Sequence, residues 1–209
     1  MSVKGLLIVI SGPSGTGKGT VCKALTSSSK YWLSVSATTR FPREGEVHGK
    51  NYYFLSKEDF CEKVDQGDFL EYAEVYGNYY GTPKSNAMEA LERGEDVILE
   101  IDTQGAIQVK KNYPKGIFIF LLPPSIDELR HRIINRGSET AESLKTRLGS
   151  VLSEIDCASE YNYGVVNDTV EEAVRKIECI IQAEKCNITR IKEKISLLEE
   201  EINHEQLNK

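Results

Sequence analysis

The chain has 209 residues, with 26 Lys and Arg against 32 Asp and Glu, for a net charge of −6. Its 40% hydrophobic and 28% charged residues are an ordinary globular mix, which excludes a disordered polymer. No apolar run approaches the roughly 20 residues of a membrane span, and the acidic balance excludes a general nucleic-acid binder, whose affinity rests on clustered Lys and Arg.

The N-terminal MSVKGLLIVISG is too short in apolar residues for a signal peptide, so a soluble cytoplasmic protein is expected. Leu6–Ile10, closing on a Gly/Ser cluster, reads as a fully buried parallel strand. Comparable runs recur at Val97–Ile101, Ile117–Leu122 and Tyr163–Val166, with helical stretches at Lys18–Ser28, Lys84–Arg93 and Ile126–Asn135. Strands alternating with helices predict an α/β fold, a parallel sheet with helices on both faces.

Residues 34–82 break this rhythm with β-branched, aromatic and turn residues, one short helix that Ser56 would cap, and the alternating FLEYAEVYGNYYG. They read as an inserted mixed β/α lobe. Residues 127–149 carry Arg130, Arg132, Arg136, Lys145 and Arg147 around Arg136-Gly137-Ser138, the pattern of a hinged helical flap. From Val174 an apolar stripe runs through Ile177 and Ile181, then Ile188, Ile191, Ile195, Leu198 and Ile202. The first part predicts a helix packed on the sheet. Beyond Asn187 the stripe fits a coiled-coil seam joining two copies, a packed tail or a frayed helix. The cysteines Cys22, Cys61, Cys157, Cys179 and Cys186 are odd in number and show no C-x-x-C pair, so buried reduced thiols are expected rather than disulfides or a metal site.

Directly after the first strand stands Gly12-Pro13-Ser14-Gly15-Thr16-Gly17-Lys18-Gly19-Thr20. It fits the phosphate-binding G-x-x-x-x-G-K, with a strand before it and a helix after it. Glycines turn backbone N–H groups inward, the helix N-terminus adds a positive dipole end, and Lys18 reaches the terminal phosphates of a nucleoside triphosphate. Gly19 departs from the pattern, which places Ser or Thr there. Thr20 is one residue late, so Mg²⁺ is expected to be held mainly through phosphates and water.

The acceptor side must lie in the inserted lobe. Arg40 and Arg43, three apart around Pro42, suit a phosphate held by guanidinium forks, and equally suit surface charge. Tyr52 and Tyr80 suit phenolic donors to the same anion or core packing. Glu71 reads as a solvated strand residue or as an acceptor for the paired N1–H and N2–H₂ of guanine, which adenine lacks on that edge.

SGPSGTGKGT, SATTRFPREGEVHGKNYYF, EVYGNYYGTP and LEIDTQGA, in this order and spacing, closely resemble the guanylate kinase family over residues 5 to about 186. The resemblance implies a P-loop core over residues 1–33, 83–126 and 150–187, a GMP-binding lobe over 34–82, a lid over 127–149 and a tail over 188–209 that inherits nothing. It implies that Arg40, Arg43, Tyr52 and Tyr80 hold the GMP phosphate, that Glu71 reads guanine, and that Ser36, Thr82, Glu100 and Asp102 line the same pocket. Arg132, Arg136 and Arg147 match arginines that close over ATP, and Asn167 and Asp168 match the adenine side. The family also contains G-K-G-T, which accommodates Gly19.

The implied reaction is ATP + GMP to ADP + GDP with Mg²⁺, feeding GTP and dGTP pools, with dGMP left open as a second acceptor. A phosphate nucleophile with a second pKa near 6 is already ionised at pH 7 and needs no general base. That suits a chain whose His48, His131 and His204 stand beside no Ser or Cys signature. Catalysis would be positioning and charge neutralisation, with Asp102 orienting Mg²⁺ through water. Two alternatives stay open: a guanylate-kinase-like module that binds proteins without catalysis, and a kinase for another monophosphate such as AMP or dTMP.

Overall fold

The structure is a computed structural model describing residues 4–27, 30–75, 77–134, 149, 151–192, 195–196, 198–199 and 202. The chain divides into two units, Met1–Val174 and Arg175–Lys209.

The first unit is built on a five-stranded sheet in which every pairing is parallel. Its strands are β1 (Leu7–Ser11), β2 (Tyr31–Leu33), β7 (Asp96–Glu100), β8 (Ile117–Leu122) and β9 (Tyr163–Val166), in the order β2-β7-β1-β8-β9. All five residues of β1 are buried, as an unbroken apolar run at the centre of a covered sheet requires. Leu7, Val9, Val97, Leu99 and Phe118 pack with Ala87, Ala90 and Leu91 of α3 (Lys84–Glu92) and Ala106 and Val109 of α4 (Thr103–Asn112). α1 (Lys18–Thr26) follows β1 and buries Val21, Cys22 and Leu25. β1 lies between β7 and β8, and the chain goes from β1 to β2 on one side and later crosses from β7 to β8 on the other, the arrangement that opens a crevice at the carboxyl ends of the strands.

The inserted lobe is a second, mixed sheet of β3 (Ala37–Thr38), β4 (Tyr53–Phe54), β5 (Phe69–Val75) and β6 (Asn78–Pro83), in the order β4-β3-β6-β5. α2 (Lys57–Asp65) covers it, and the Ser56 Oγ caps that helix by accepting the Asp59 N–H at 3.0 Å. Phe60 is fully buried and stacks on Phe69 at 4.5 Å and on Tyr79 at 5.5 Å. The lobe therefore has an aromatic core of its own.

α5 (Ile126–Ile134) begins the lid segment, and residues 151–156 form a further helix, α6. The second unit holds most of α7 (Val170–Lys185), with Ile177 and Ile181 buried. Beyond it Ile188, Leu198 and Ile202 are exposed at 61%, 51% and 55%.

Among the described elements, β2, α4, α6 and the short 3-10 helix Cys157–Glu160 lie outside the expected pattern. The cysteines also differ from expectation. Cys22 is buried, Cys157 intermediate, and Cys61, Cys179 and Cys186 are exposed, all five unpaired. Cys61 occupies the outward face of α2, where helical periodicity overrides the usual preference of the residue type for burial.

Candidate active site

The loop from Gly12 to Gly17 connects β1 to α1 with positive φ at Gly12 (138°), Gly15 (88°) and Gly17 (90°). A Cβ at Gly12 would lie 2.3 Å from the backbone oxygen of Leu121, and one at Gly17 would lie 2.6 Å from Asn167 Nδ2. Both sites therefore admit glycine alone. Lys18 folds back to donate to Gly12 O at 2.6 Å and Pro13 O at 3.1 Å. Burial lowers its pKa, opposed by the fields of Glu154, Glu100 and Asp102. The Ser14 N–H donates to Glu154 Oε2 on α6 at 3.3 Å.

Gly19 is explained by what stands beside it. A Cβ there would lie 3.1 Å from Glu100 Oε1, at the end of β7, so the space a Ser or Thr would fill belongs to a carboxylate.

One cavity of about 420 Å³ opens against the loop, lined by Gly15, Gly17, Thr20, Arg132, Asn167, Asp168 and Val170. Two distant segments converge on the Thr16 carbonyl, which accepts Asn167 Nδ2 at 2.8 Å and Arg132 Nη1 at 3.4 Å. Arg132 also donates to Glu128 Oε1 at 2.8 Å and to Asn167 O at 3.2 Å. Asn167 is buried, and its Oδ1 has no hydrogen-bond partner among the described residues. Asp168 is exposed at the rim. Arg136 and Arg147, expected on the lid, lie outside the described residues.

A second cavity, of about 220 Å³, is lined by Ser36, Tyr52, Glu71, Tyr80, Glu100 and Asp102, among others. Here the reading of Glu71 as solvated fails: it is 7% exposed. β5 and β6 pair Glu71 with Thr82, whose hydroxyl donates to Glu71 Oε1 at 2.6 Å. Gly105 backs the other oxygen, since a Cβ there would lie 2.8 Å from Oε2. Burial pushes the Glu71 carboxyl up to about 7, with Thr82 opposing the rise and Asp102 adding to it. Asp102 lines this cavity and also caps α4, its Oδ1 accepting the Gly105 N–H at 2.8 Å.

At the mouth, the Tyr52 and Tyr80 rings meet edge to face at 6.0 Å, and the Arg40 guanidinium lies 5.6 Å from the Tyr52 ring centre. Arg40 Nη2 reaches both oxygens of Glu46, at 2.9 and 3.0 Å. Arg43 gives its backbone N–H to the same carboxylate at 2.7 Å, with its side chain exposed. Glu46 is a site residue that the sequence reading missed. The available signal was an acid three positions after Arg43, where one carboxylate can organise both arginines of the loop.

The donor set around Gly19 suits a hydrated Mg²⁺ carried by phosphates. The hard oxygens of Glu100 stand beside Gly19, yet no group of three or more His, Cys, Asp or Glu among the described residues could hold a metal by itself.

A family profile described as guanylate kinase matches residues 4–184. The chain is 66% identical over 204 residues to a guanylate kinase of Clostridium tetani, covering 98% of each protein. It is 63% identical over 206 residues to one of Clostridium acetobutylicum, covering 99% of each. The crystal structure of guanylate kinase from Anaplasma phagocytophilum superposes with a TM-score of 0.73 at 35% identity, covering 90% of both chains.

Proposed function

The chain belongs to the guanylate kinase family and is an ATP:GMP phosphotransferase, and from that premise we propose how its own residues divide the work. The carrying observation is the buried Glu71 carboxylate, flanked by Thr82 and Gly105 in the wall of the second cavity. In this reading the Glu71 oxygens accept guanine N1–H and N2–H₂, while Ser36, Thr82 and Asp102 complete the base pocket. An ionised, desolvated carboxylate rejects a base lacking those donors, because its lone pairs would then be left unmatched.

Arg40 and Arg43 hold the GMP phosphate, with Tyr52 and Tyr80 as phenolic donors beside it. Glu46 keeps the Arg40 fork aimed without touching substrate. On the donor side, loop N–H groups from Gly12 to Thr20 cradle the ATP phosphates and Lys18 reaches the transferring group. Asn167 and Asp168 line the adenine side, where the open, buried Asn167 Oδ1 suits the adenine amino group. Arg132, with Arg136 and Arg147, supplies positive charge over the phosphates. The acceptor phosphate is already ionised, so the residues position and neutralise rather than move a proton.

Mg²⁺ bound to ATP would supply charge neutralisation on the transferred phosphoryl group. Glu100, Asp102 and Thr20 would hold it through water.

Whether dGMP serves beside GMP as an acceptor is decided by ADP formation with each supplied alone. The exposed stripe of Ile188, Leu198 and Ile202 supports self-association of two copies through the tail. The mass in solution with and without residues 188–209 tests that. No helix among the described residues is long and apolar enough to cross a membrane. The five unpaired cysteines suit a reducing compartment, the cytoplasm.

The test is ADP formation from Mg-ATP with GMP, dGMP, AMP, dTMP and UMP supplied separately. Turnover with GMP far above AMP supports both the chemistry and the role of Glu71. Preference for another base would discard the pocket assignment.

A further inference from the structure

Glu154 belongs to none of the motifs, yet its carboxylate reaches the centre of the phosphate loop. It sits on α6 and is 140 positions from Ser14, whose N–H it accepts at 3.3 Å. Of the carboxylates acting on Lys18, it acts most strongly, ahead of Glu100 and Asp102 at the end of β7. Its engagement also differs in kind: Glu154 takes a loop N–H, the group through which such a loop grips an anion. Burial pushes its carboxyl upward, opposed by the Ser14 N–H and Lys18, as for an acid drawn into a pocket that suits an anion.

We propose that Glu154 is an internal competitor for the phosphate loop, an acid on α6 that the β-phosphate of ADP or ATP displaces from Ser14 and that thereby sets nucleotide affinity. The proposal rests on the reading of Gly12–Thr20 as the phosphate cradle. Two anions cannot share one N–H and one ammonium without strong repulsion, so one must leave. The phosphate brings more charge and engages several loop N–H groups where the carboxylate engages Ser14. It therefore wins, at the cost of a charge-assisted hydrogen bond. Glu154 lies five residues beyond the arginine-bearing segment that ends at 149, so it is close in the chain to the lid segment.

The experiment titrates ADP, and separately inorganic pyrophosphate, into wild-type, Glu154→Gln and Glu154→Ala proteins by calorimetry, without Mg²⁺ or GMP. Both variants are expected to bind both anions about fivefold tighter or more, the scale of a lost charged hydrogen bond that is partly solvated. KM for ATP should fall in step and KM for GMP should stay unchanged. Should an uncharged variant fail to fold, Glu154→Asp serves instead, since its shorter side chain withdraws from Ser14, and a smaller tightening is expected. Equal or weaker binding of both anions by folded variants overturns the proposal. A wild-type protein that binds neither anion removes the phosphate-loop reading itself, a distinct result.

Discussion

The Glu71 carboxylate accepts the Thr82 hydroxyl at 2.6 Å across the β5–β6 pair. The Thr82 side chain and backbone both hydrogen-bond this acid, and burial still pushes it up to about 7. Raised pKa values of this kind cluster where a ligand is to supply the missing partners.

Guanine recognition should therefore depend on pH. Two donors on the base require an ionised carboxylate, so KM for GMP should rise as pH falls below about 7, and GMP binding near pH 6 should release a proton. Calorimetry of GMP binding in buffers of different ionisation enthalpy measures that release, which Glu71→Gln should abolish.

The same carboxylate has a stability cost of known sign. Its folded pKa of about 7 lies above the ordinary 4.5, so the folded state holds the proton more tightly. Stability is then favoured below the unfolded value and lost as pH rises through the folded one. At about 1.4 kcal/mol per unit, the loss approaches roughly 3 kcal/mol above pH 7. Glu71→Gln should accordingly raise Tm at pH 8 and leave it nearly unchanged near pH 4, while KM for GMP rises.

Gly105→Ala should act on the acceptor alone. Its Cβ would stand 2.8 Å from Glu71 Oε2, forcing the carboxylate away from the base. KM for GMP is expected to rise about tenfold or more, the usual scale for displacing one charged hydrogen-bonding group, with KM for ATP unchanged. Steady-state kinetics with each substrate varied in turn decides it.

Lys18→Ala should leave the fold intact and lower kcat by about 10²-fold or more, because an ammonium aimed at developing charge is worth several kcal/mol at the transition state. Circular dichroism and single-turnover rates separate loss of chemistry from loss of structure.

Glu46→Gln should weaken GMP binding without touching substrate. Arg40 loses its ion-pair partner, and a single amide oxygen is left to serve both the Arg40 guanidinium and the Arg43 N–H. KM for GMP is expected to rise severalfold, with kcat changed less. An equal fall in kcat and kcat/KM would instead place Glu46 in the chemical step.

Some of this was legible in the chain and some was not, for physical reasons. β1 and β8 announce themselves because each is a continuous apolar run ended by turn or polar residues, whereas the shorter β9, Tyr-Gly-Val-Val, buries only Val165. The phosphate loop is legible because its glycines are dictated by local backbone geometry. β2 is three residues long, too short to show a period. α4 carries only Ala106, Ile107 and Val109 as aliphatic positions, and its start signal, Asp102, was absorbed into the site. Glu71 could not be settled by alternation alone, because its burial depends on α4 closing over it through Gly105. Glu154 is invisible locally, since its meaning lies 140 positions away.

The support of the Thr16 carbonyl carries a consequence for how the protein is made. The loop emerges from the ribosome early, yet the two groups that brace it come 116 and 151 residues later, Arg132 and then Asn167. A nascent chain halted before β9 would possess every glycine of the motif, and Arg132 as well, and still lack Asn167, the shorter of the two braces. Competence to bind ATP should thus appear as a late, abrupt event in synthesis, which makes nucleotide capture a natural reporter of a finished chain.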